Sequence, residues 1–184
     1  MFGAPHLDEL LPAWHWRSRS TAWMDAPAAE VFLAFEQVNL SELPGAAAIR
    51  QRQSKRDRSA VTMLHDLLDQ GFFLLHEEPE RELVLGRIGQ FWRPGGPATV
   101  QVAGRRAFLE FAEPGYAKAA FSLQVLELDR GSMAAVESRV LATDEHTHRE
   151  FNRYWLVDSW ANPAGREQLL HAVRERATNP ARWG

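Results

Sequence analysis

The residues best suited to metal binding stand where the last predicted helix begins. His146 and His148 lie there beside three carboxylates, those of Asp144, Glu145 and Glu150. On a helix the two histidines point about 200° apart, so they cannot face one ion. Residues four apart do share a face, but two ligands are fewer than zinc sites use. We therefore expect a polar helix start with no metal site, and we expect no cofactor.

Acid–base chemistry is suggested by Tyr154 and Asp158, which lie four residues apart on one face of the same predicted helix. That face also carries Trp155 and is expected to pack on the sheet. A buried carboxylate at position 158 needs a partner or a raised pKa, and Arg87 or Tyr154 is a suitable partner. A slight rotation of the helix places Asp158 in water instead. Tyr154 and Asp158 are the catalytic candidates if the protein is an enzyme.

Composition and motifs exclude or weaken several other classes of function. The chain has no cysteine, which excludes disulfides, thiolate catalysis and cysteine-based zinc sites. It contains no G-x-S-x-G elbow, phosphate-binding loop, H-E-x-x-H helix or dinucleotide fingerprint. The net charge is -3, and the densest basic run, RQRQSKRDR at 50–58, has no aromatic residue for base stacking. Nucleic acid is therefore not an expected partner.

Aromatic side chains are numerous enough to line a ligand cavity. Seven tryptophans and ten phenylalanines occur in 184 residues, and such a set can also fill a large core. A cavity needs apolar walls and a few polar groups that orient the ligand. The candidate walls are Phe91, Trp92, Phe121, Leu123, Tyr154, Trp155 and Trp160. The candidate polar groups are Tyr116, Lys118, Glu137, Arg139 and Asp158. We expect Glu137 and Arg139 on the outer face of their strand, paired with groups on neighbouring strands.

The elements that position these residues follow an α+β order. The periodicity predicts a strand at 15–24, helices at 25–38 and 61–70 and a hairpin at 72–92. It then predicts a brief strand at 99–102, a short helix at 105–111, strands at 117–128 and 132–142, and a long helix at 144–178 interrupted at Pro163. Gly86 and Gly89 mark a bulge, a bend or a close backbone approach. Each long strand has one apolar and one mixed face. This pattern predicts an antiparallel sheet with one face in solvent and helices against the other.

Length and composition are typical of one folded domain. Hydrophobic residues make up 45% of the chain and charged residues 24%. We expect a single domain over residues 1–184, with an N-terminal arm at 1–13 and a frayed tail at 179–184. The first residues lack the pattern of a secretory signal, and no apolar run approaches the roughly 20 residues that span a bilayer. The cytoplasm is the expected location.

Several segments resemble the START-like (SRPBCC) superfamily. The opening strand followed by DAPAAEVF at 25–32 is similar to the start of these proteins, and SRVLATD at 138–144 before a long helix is similar to their end. The segments ELVLGRIGQFW and EPGYAKAAF resemble uncharacterised bacterial members. The resemblance implies a helix-grip fold, in which a curved antiparallel sheet wraps a long C-terminal helix and leaves an internal cavity. It carries no catalytic residue over, because the superfamily has many functions.

Three functions are compatible with these observations. The first is binding of a hydrophobic small molecule, lipid-like or polyketide-like, in the cavity without covalent chemistry. The second is a polyketide cyclase or dehydrase in which Asp158 or Tyr154 acts as acid or base. The third is a protein-interaction or stability module, which would expose an apolar patch. The aromatic content and the lack of a catalytic set favour the first.

Overall fold

The computed structural model describes residues 6–43, 61–93, 99–155 and 163–179. The helices are α1 His6–Leu10, α2 Ala28–Gln37, α3 Met63–Asp69, α4 Gly104–Glu110, α5 Glu145–Trp155 and α6 Pro163–Thr178, with a 3-10 turn at Leu40–Glu42. The strands are β1 Trp16–Met24, β2 Phe73–Glu78, β3 Glu82–Gly89, β4 Ala117–Glu127 and β5 Ser132–Ala142. The predicted strands and helices that the structure describes occur in the predicted order, but α1 lies in the segment predicted as an arm, and residues 99–102 form no strand.

All five strands form one antiparallel sheet in the order β1-β5-β4-β3-β2. The centre is the long β4–β5 hairpin, in which Phe121 pairs with Ser138 and Leu123 with Val136. Strand β1 pairs with the edge of β5 that β4 does not occupy, and Ser18 lies opposite Ser138. This register divides the side chains of each strand between two faces.

One face of the sheet, here called the inner face, packs against α2 and α6. Val31, Phe32 and Phe35 of α2 lie in one buried cluster with Leu169 and Val173 of α6 and with the inner residues of β3, β4 and β5. The C-terminal helix also packs on β1 and on α2. An antiparallel sheet that carries a C-terminal helix across one face is the α+β helix-grip arrangement that the sequence predicts.

The outer face of the sheet is covered as well, and this corrects the prediction of a solvent-facing side with all helices on the other. Helices α1 and α4 pack there in a second buried cluster. Its buried members are Leu7, Leu10, Leu11, Leu75, Val84, Ile88, Phe108 and Ala120. The protein is thus a sheet between two helical layers. The segment predicted as an arm at 1–13 supplies one of the covering helices.

Two buried cations hold the short helices of the outer layer. Helices of five and seven residues are too short to be stable alone in water. Lys118 of β4 donates to the carbonyl of Leu109 near the end of α4, at 2.9 Å. Arg139 of β5 donates to the carbonyl of Leu11 after α1, at 3.0 Å. Cations at helix C-termini satisfy free carbonyls and complement the helix dipole.

Within the long helix predicted at 144–178 the structure describes α5 and α6, and Pro163 is the first described residue of α6. Asp144 caps α5, because its Oδ1 accepts the backbone N–H of Thr147 at 3.0 Å. Its Oδ2 also accepts the N–H of Gly115. Hydrogen bonds from Thr147 and Gly115 hold the pKa of Asp144 well below its usual range. Asp144 therefore ties the start of α5 to the turn before β4.

Within the described ranges no helix combines the length and the apolar character needed to cross a membrane. The tail predicted at 179–184 lies outside the described residues except for Asn179. The prediction of a single domain over the whole chain stays a prediction.

Gly86 confirms the predicted close approach on β3. A Cβ built at Gly86 would lie 2.5 Å from Leu75 Cδ1 and 3.1 Å from Phe108 Cε2, both in the outer cluster. We expect Gly86→Ala to lower the free energy of unfolding by about 1–3 kcal/mol through overpacking, measured by urea denaturation. Gly89→Ala on the same strand is the control, because a Cβ at Gly89 would lie 3.4 Å from its nearest neighbour, the Cα of Thr99. Equal effects of the two substitutions would contradict the packing of α4 on β3.

Candidate binding site on the inner face of the sheet

The predicted wall residues fall into two groups on the inner face. Phe121 and Leu123 are 1% and 0% exposed and belong to the core beneath α2 and α6. The Phe121 ring stacks on Phe35 with centroids 6.1 Å apart. Phe91 and Trp92 instead belong to a separate cluster at the end of the sheet beside α5. The first group is a packed core, and the second is more open.

The second group is built around Phe151 of α5. The rings of Trp16, Phe91 and Trp92 meet the Phe151 ring with centroids 4.6, 5.6 and 5.6 Å away. We call these four residues the aromatic cluster. Edge-to-face geometry of the last two contacts is the favoured arrangement of aromatic rings. The cluster therefore fixes how α5 lies against the end of the sheet.

Helix α5 also satisfies the polar atoms of both tryptophans. Trp16 Nε1 donates to Asn152 Oδ1 at 3.3 Å, and Trp92 Nε1 donates to Glu150 Oε2 at the same distance. Arg93 adds two hydrogen bonds to that carboxylate oxygen. The hydrogen bond from Arg93 is the largest cause that lowers the pKa of Glu150. Both indoles are thereby held in fixed orientations.

A polar row separates the aromatic cluster from the core. Ser18 and Ser20 of β1 and Ser138 of β5 share the inner face. Ser138 is 0% exposed, and within the part of the chain that the structure describes its Oγ has no hydrogen-bond partner. It lies on β5 between Val136 of the core and Val140, which is buried together with the aromatic cluster. A buried hydroxyl without a hydrogen-bond partner destabilises the folded protein, so its presence at this position needs an explanation.

Arg166 of α6 brings a cation to this row. Its side chain is buried, and its Nε donates to Ser20 Oγ at 3.4 Å. Burial lowers the pKa of the Arg166 guanidinium. The inner face thus combines an apolar surface with a few polar groups, as small-molecule sites do.

Among the described residues no side chain accepts the proton of the Ser138 hydroxyl. A catalytic serine needs a base that accepts its proton. In the described ranges no histidine or carboxylate accepts a hydrogen bond from Ser138 Oγ. The hydroxyl can still donate to, or accept from, a polar group of a ligand.

Most of the polar groups predicted for the cavity lie elsewhere. Lys118, Glu137 and Arg139 are buried on the outer face under the covering helices, and none of them lies on the inner face. The expectation that Glu137 and Arg139 occupy the outer face is therefore correct. Tyr116 packs edge-to-face on Phe111 beside the outer cluster.

The remaining predicted site residues are not tested by the structure. Tyr154 and Trp155 lie in the last turn of α5, and their side chains are not among those that the structure describes. Asp158 and Trp160 lie in the segment 156–162, outside the described residues. Arg87, a suggested partner of Asp158, donates to Thr99 Oγ1 at 3.1 Å. The acid–base hypothesis stays a prediction.

Ser138 and Arg166 are two buried polar residues of the inner face that sequence reasoning did not select. Each interrupts an apolar pattern. Ser138 stands between Val136 and Val140 in the alternation of β5, and Arg166 lies three residues before Leu169 on the buried stripe of α6. A polar residue at a position where the period demands an apolar one is the signal that was available.

The sheet, the C-terminal helix and the inner-face site define a helix-grip protein, and solved structures of low identity are similar to it. The di-domain ARO/CYC protein BexL is 13% identical with a TM-score of 0.38 over 94% of this chain, which spans 53% of BexL. A hypothetical protein from Helicobacter pylori is 10% identical with a TM-score of 0.44, over 96% of each chain. The Zhui aromatase/cyclase from Streptomyces is 12% identical with a TM-score of 0.34, over 90% of this chain and 95% of its own.

Comparisons with protein-family models and with curated proteins find no match. The function is therefore inferred from the residues of this chain.

Proposed function

We propose that the protein binds a hydrophobic small molecule on the inner face of the sheet, with one polar group of the ligand hydrogen-bonded to Ser138. The observation that carries this proposal is the buried Ser138 hydroxyl, which has no partner among the described residues. Phe121 borders it on one side, and the aromatic cluster lies toward the other. A lipid-like or polyketide-like molecule has the required apolar body and polar group.

Helix α5 carries Phe151 of the aromatic cluster and ends four residues later at Trp155. The proposed entry is at this end of the sheet, where Phe91 is only partly buried. Tyr154 and Trp155 are proposed as further walls, together with Trp160. No covalent step is required, and the chain's own groups would orient the ligand and exclude water from it.

The first test is native mass spectrometry of freshly purified protein, followed by denaturing extraction of any bound molecule. We expect an apolar small molecule at close to one equivalent. Protein that is free of such a molecule and also fails to take up an added aromatic probe would contradict the proposal.

A second test isolates the role of Ser138. Wild-type protein is expected to bind naphthol about fivefold more tightly than naphthalene, because one net hydrogen bond contributes about 1 kcal/mol. Ser138→Ala is expected to remove this preference without lowering the free energy of unfolding, since it deletes a hydroxyl that has no described partner. Isothermal titration gives the affinities, and urea denaturation gives the stability.

Ser122→Ala is the matched control. Ser122 is also a buried serine of the central hairpin, but it lies on the outer face near Glu82. Its substitution should leave the preference for naphthol intact. Retention of that preference in Ser138→Ala would show that the ligand does not reach Ser138.

A further inference from the structure

The geometry points to a divalent metal site on the outer face of the sheet, formed by His6, His76 and Glu82. Each residue offers one ligand atom, and the three atoms lie within 4.8 Å of one another. This site lies on the opposite face of the sheet from the proposed ligand site and is independent of it. It is formed by residues from three separate elements, α1, β2 and β3.

Glu82 is a buried carboxylate that is fixed in orientation. It is 5% exposed. Its Oε1 lies 3.3 Å from Gln124 Nε2 and 3.4 Å from Ser122 Oγ. Its Oε2 accepts the backbone N–H of His6 at 3.2 Å and lies 2.9 Å from His6 Nδ1. Gln124 and Ser122 are neutral, so they orient the carboxylate without compensating its charge, as outer-shell groups of metal sites do.

His76 is directed to this point by a bulge in β2. The pairing of β2 with β3 shifts register between Leu74 and His76, and His76 then lies opposite Val84. Leu75 and Val84 both belong to the outer cluster, so the bulge turns two successive residues toward the outer face. The His76 Nε2 atom is buried and has no hydrogen-bond partner in the described part of the chain. A buried imidazole nitrogen with this geometry is available to an ion.

The two imidazoles already lie face to face. Their ring centroids are 3.6 Å apart with an interplanar angle of 24°. Stacked rings can bring one nitrogen each toward a common ion, but metal–nitrogen bonds of about 2.0–2.1 Å require the ligands to approach further. His6 is the first residue of α1 and its side chain is 32% exposed, so it is the ligand that can move and the one that leaves a route for the ion.

The surrounding charges are mixed. The positive charge of Arg105 disfavours a cation near His76, but a carboxylate oxygen of Glu9 lies 2.7 Å from the Arg105 guanidinium and offsets this charge. Glu78 lies opposite Glu82 on the neighbouring strand and adds negative charge, although Arg81 forms an ion pair with Glu78 at 2.6 Å.

Two imidazoles and one carboxylate are the ligand set of zinc hydrolases and of non-haem iron sites. Zn²⁺ is the simplest probe. A bound ion would join α1 to the edge of the sheet.

The test uses the untagged full chain, stripped with a chelator and titrated with Zn²⁺ by calorimetry and with Co²⁺ by visible absorption. We expect one equivalent to bind, a cobalt spectrum typical of nitrogen and oxygen ligands, and a melting temperature that rises with Zn²⁺. His76→Gln is expected to weaken binding at least about tenfold and to abolish the rise in melting temperature.

His65→Gln is the matched control, because His65 forms an exposed pair with Asp69 at 3.7 Å and belongs to no cluster of three. It should bind Zn²⁺ like the wild type. Glu82→Gln provides a second variant, and circular dichroism confirms that each variant is folded. Equal Zn²⁺ affinity of the wild type and His76→Gln would overturn the inference. Lack of saturable uptake by the wild type would also overturn it and leave a simple His6–Glu82 pair.

Discussion

Replacing Arg139 by methionine is expected to lower the free energy of unfolding by about 3–5 kcal/mol, the usual cost of breaking a buried ion pair. Arg139 is 1% exposed. It bonds Glu137 Oε1 at 2.6 Å, Asp8, and the carbonyls of Leu7 and Leu11. Its guanidinium also lies 4.3 Å from the centroid of the Trp14 ring. The substitution therefore removes the attachment of α1 and one partner of a buried carboxylate together.

Arg17→Met is the control for this prediction. Arg17 binds the same carboxylate at 2.7 Å, but its side chain is 40% exposed and its position is at the sheet edge. We expect a loss of less than about 1 kcal/mol, as for other exposed ion pairs. Urea denaturation followed by circular dichroism measures both variants. Similar losses would show that α1 is held by its leucines and not by Arg139.

The same network predicts the response to acid. Burial by itself raises the pKa of Glu137, but hydrogen bonds from Arg17 and Arg139 outweigh it, so the pKa lies below its ordinary value. A carboxylate of this kind stabilises the fold at pH values above the unfolded pKa of about 4.3, and the stabilisation is lost as the pH falls through the lowered folded pKa. Without Arg139 the pKa of Glu137 rises, and acid unfolding should begin at a higher pH.

Local patterns were sufficient to predict the sheet and its inner layer. The alternation of apolar residues at 117–128 and 132–142 identified β4 and β5, and the pattern at 25–38 identified α2. These features depend on short-range periodicity. The outer layer could not be predicted from short-range periodicity, because α1 and α4 are short and their burial depends on residues from distant strands.

Charged residues were misleading on the outer face for a physical reason. Lys118, Glu137 and Arg139 are typical of a solvated strand face in a sequence. In the structure they are buried because the ends of α1 and α4 supply carbonyls to the two cations, and Glu137 is paired. Nothing local distinguishes a cation that caps a docked helix from one in water.

The candidate sites, too, could be predicted only in part from local sequence patterns. The aromatic residues Phe91 and Trp92 were predicted from type alone and do cluster. Ser138 interrupts the apolar alternation of β5, but only the structure shows that its buried hydroxyl has no partner among the described residues. His6 and His76 are far apart along the chain, and only strand pairing and the β2 bulge bring them to Glu82. Their meeting depends on tertiary structure, which spacing in the sequence does not encode.

Phe121→Ala is expected to lower the free energy of unfolding by about 3–5 kcal/mol, the usual cost of deleting a buried phenyl ring. Phe121 is fully enclosed between Phe35 and the inner residues of the hairpin, so its removal leaves a void that the central strands cannot close. The measurement is urea denaturation monitored by circular dichroism.

Phe91→Ala tests the other group of predicted walls. Phe91 is only partly buried, at the edge of the aromatic cluster, so its ring loses less contact with protein, and the expected cost is less than about half that of Phe121→Ala. Truncating a partly exposed ring leaves a small void, whereas truncating a ring in a packed core leaves a void of nearly its full volume. The ratio of the two losses therefore tests whether Phe121 is more tightly enclosed than Phe91. Comparable small losses would mean that Phe121 is not tightly enclosed, and would extend the proposed ligand site from Ser138 toward α2.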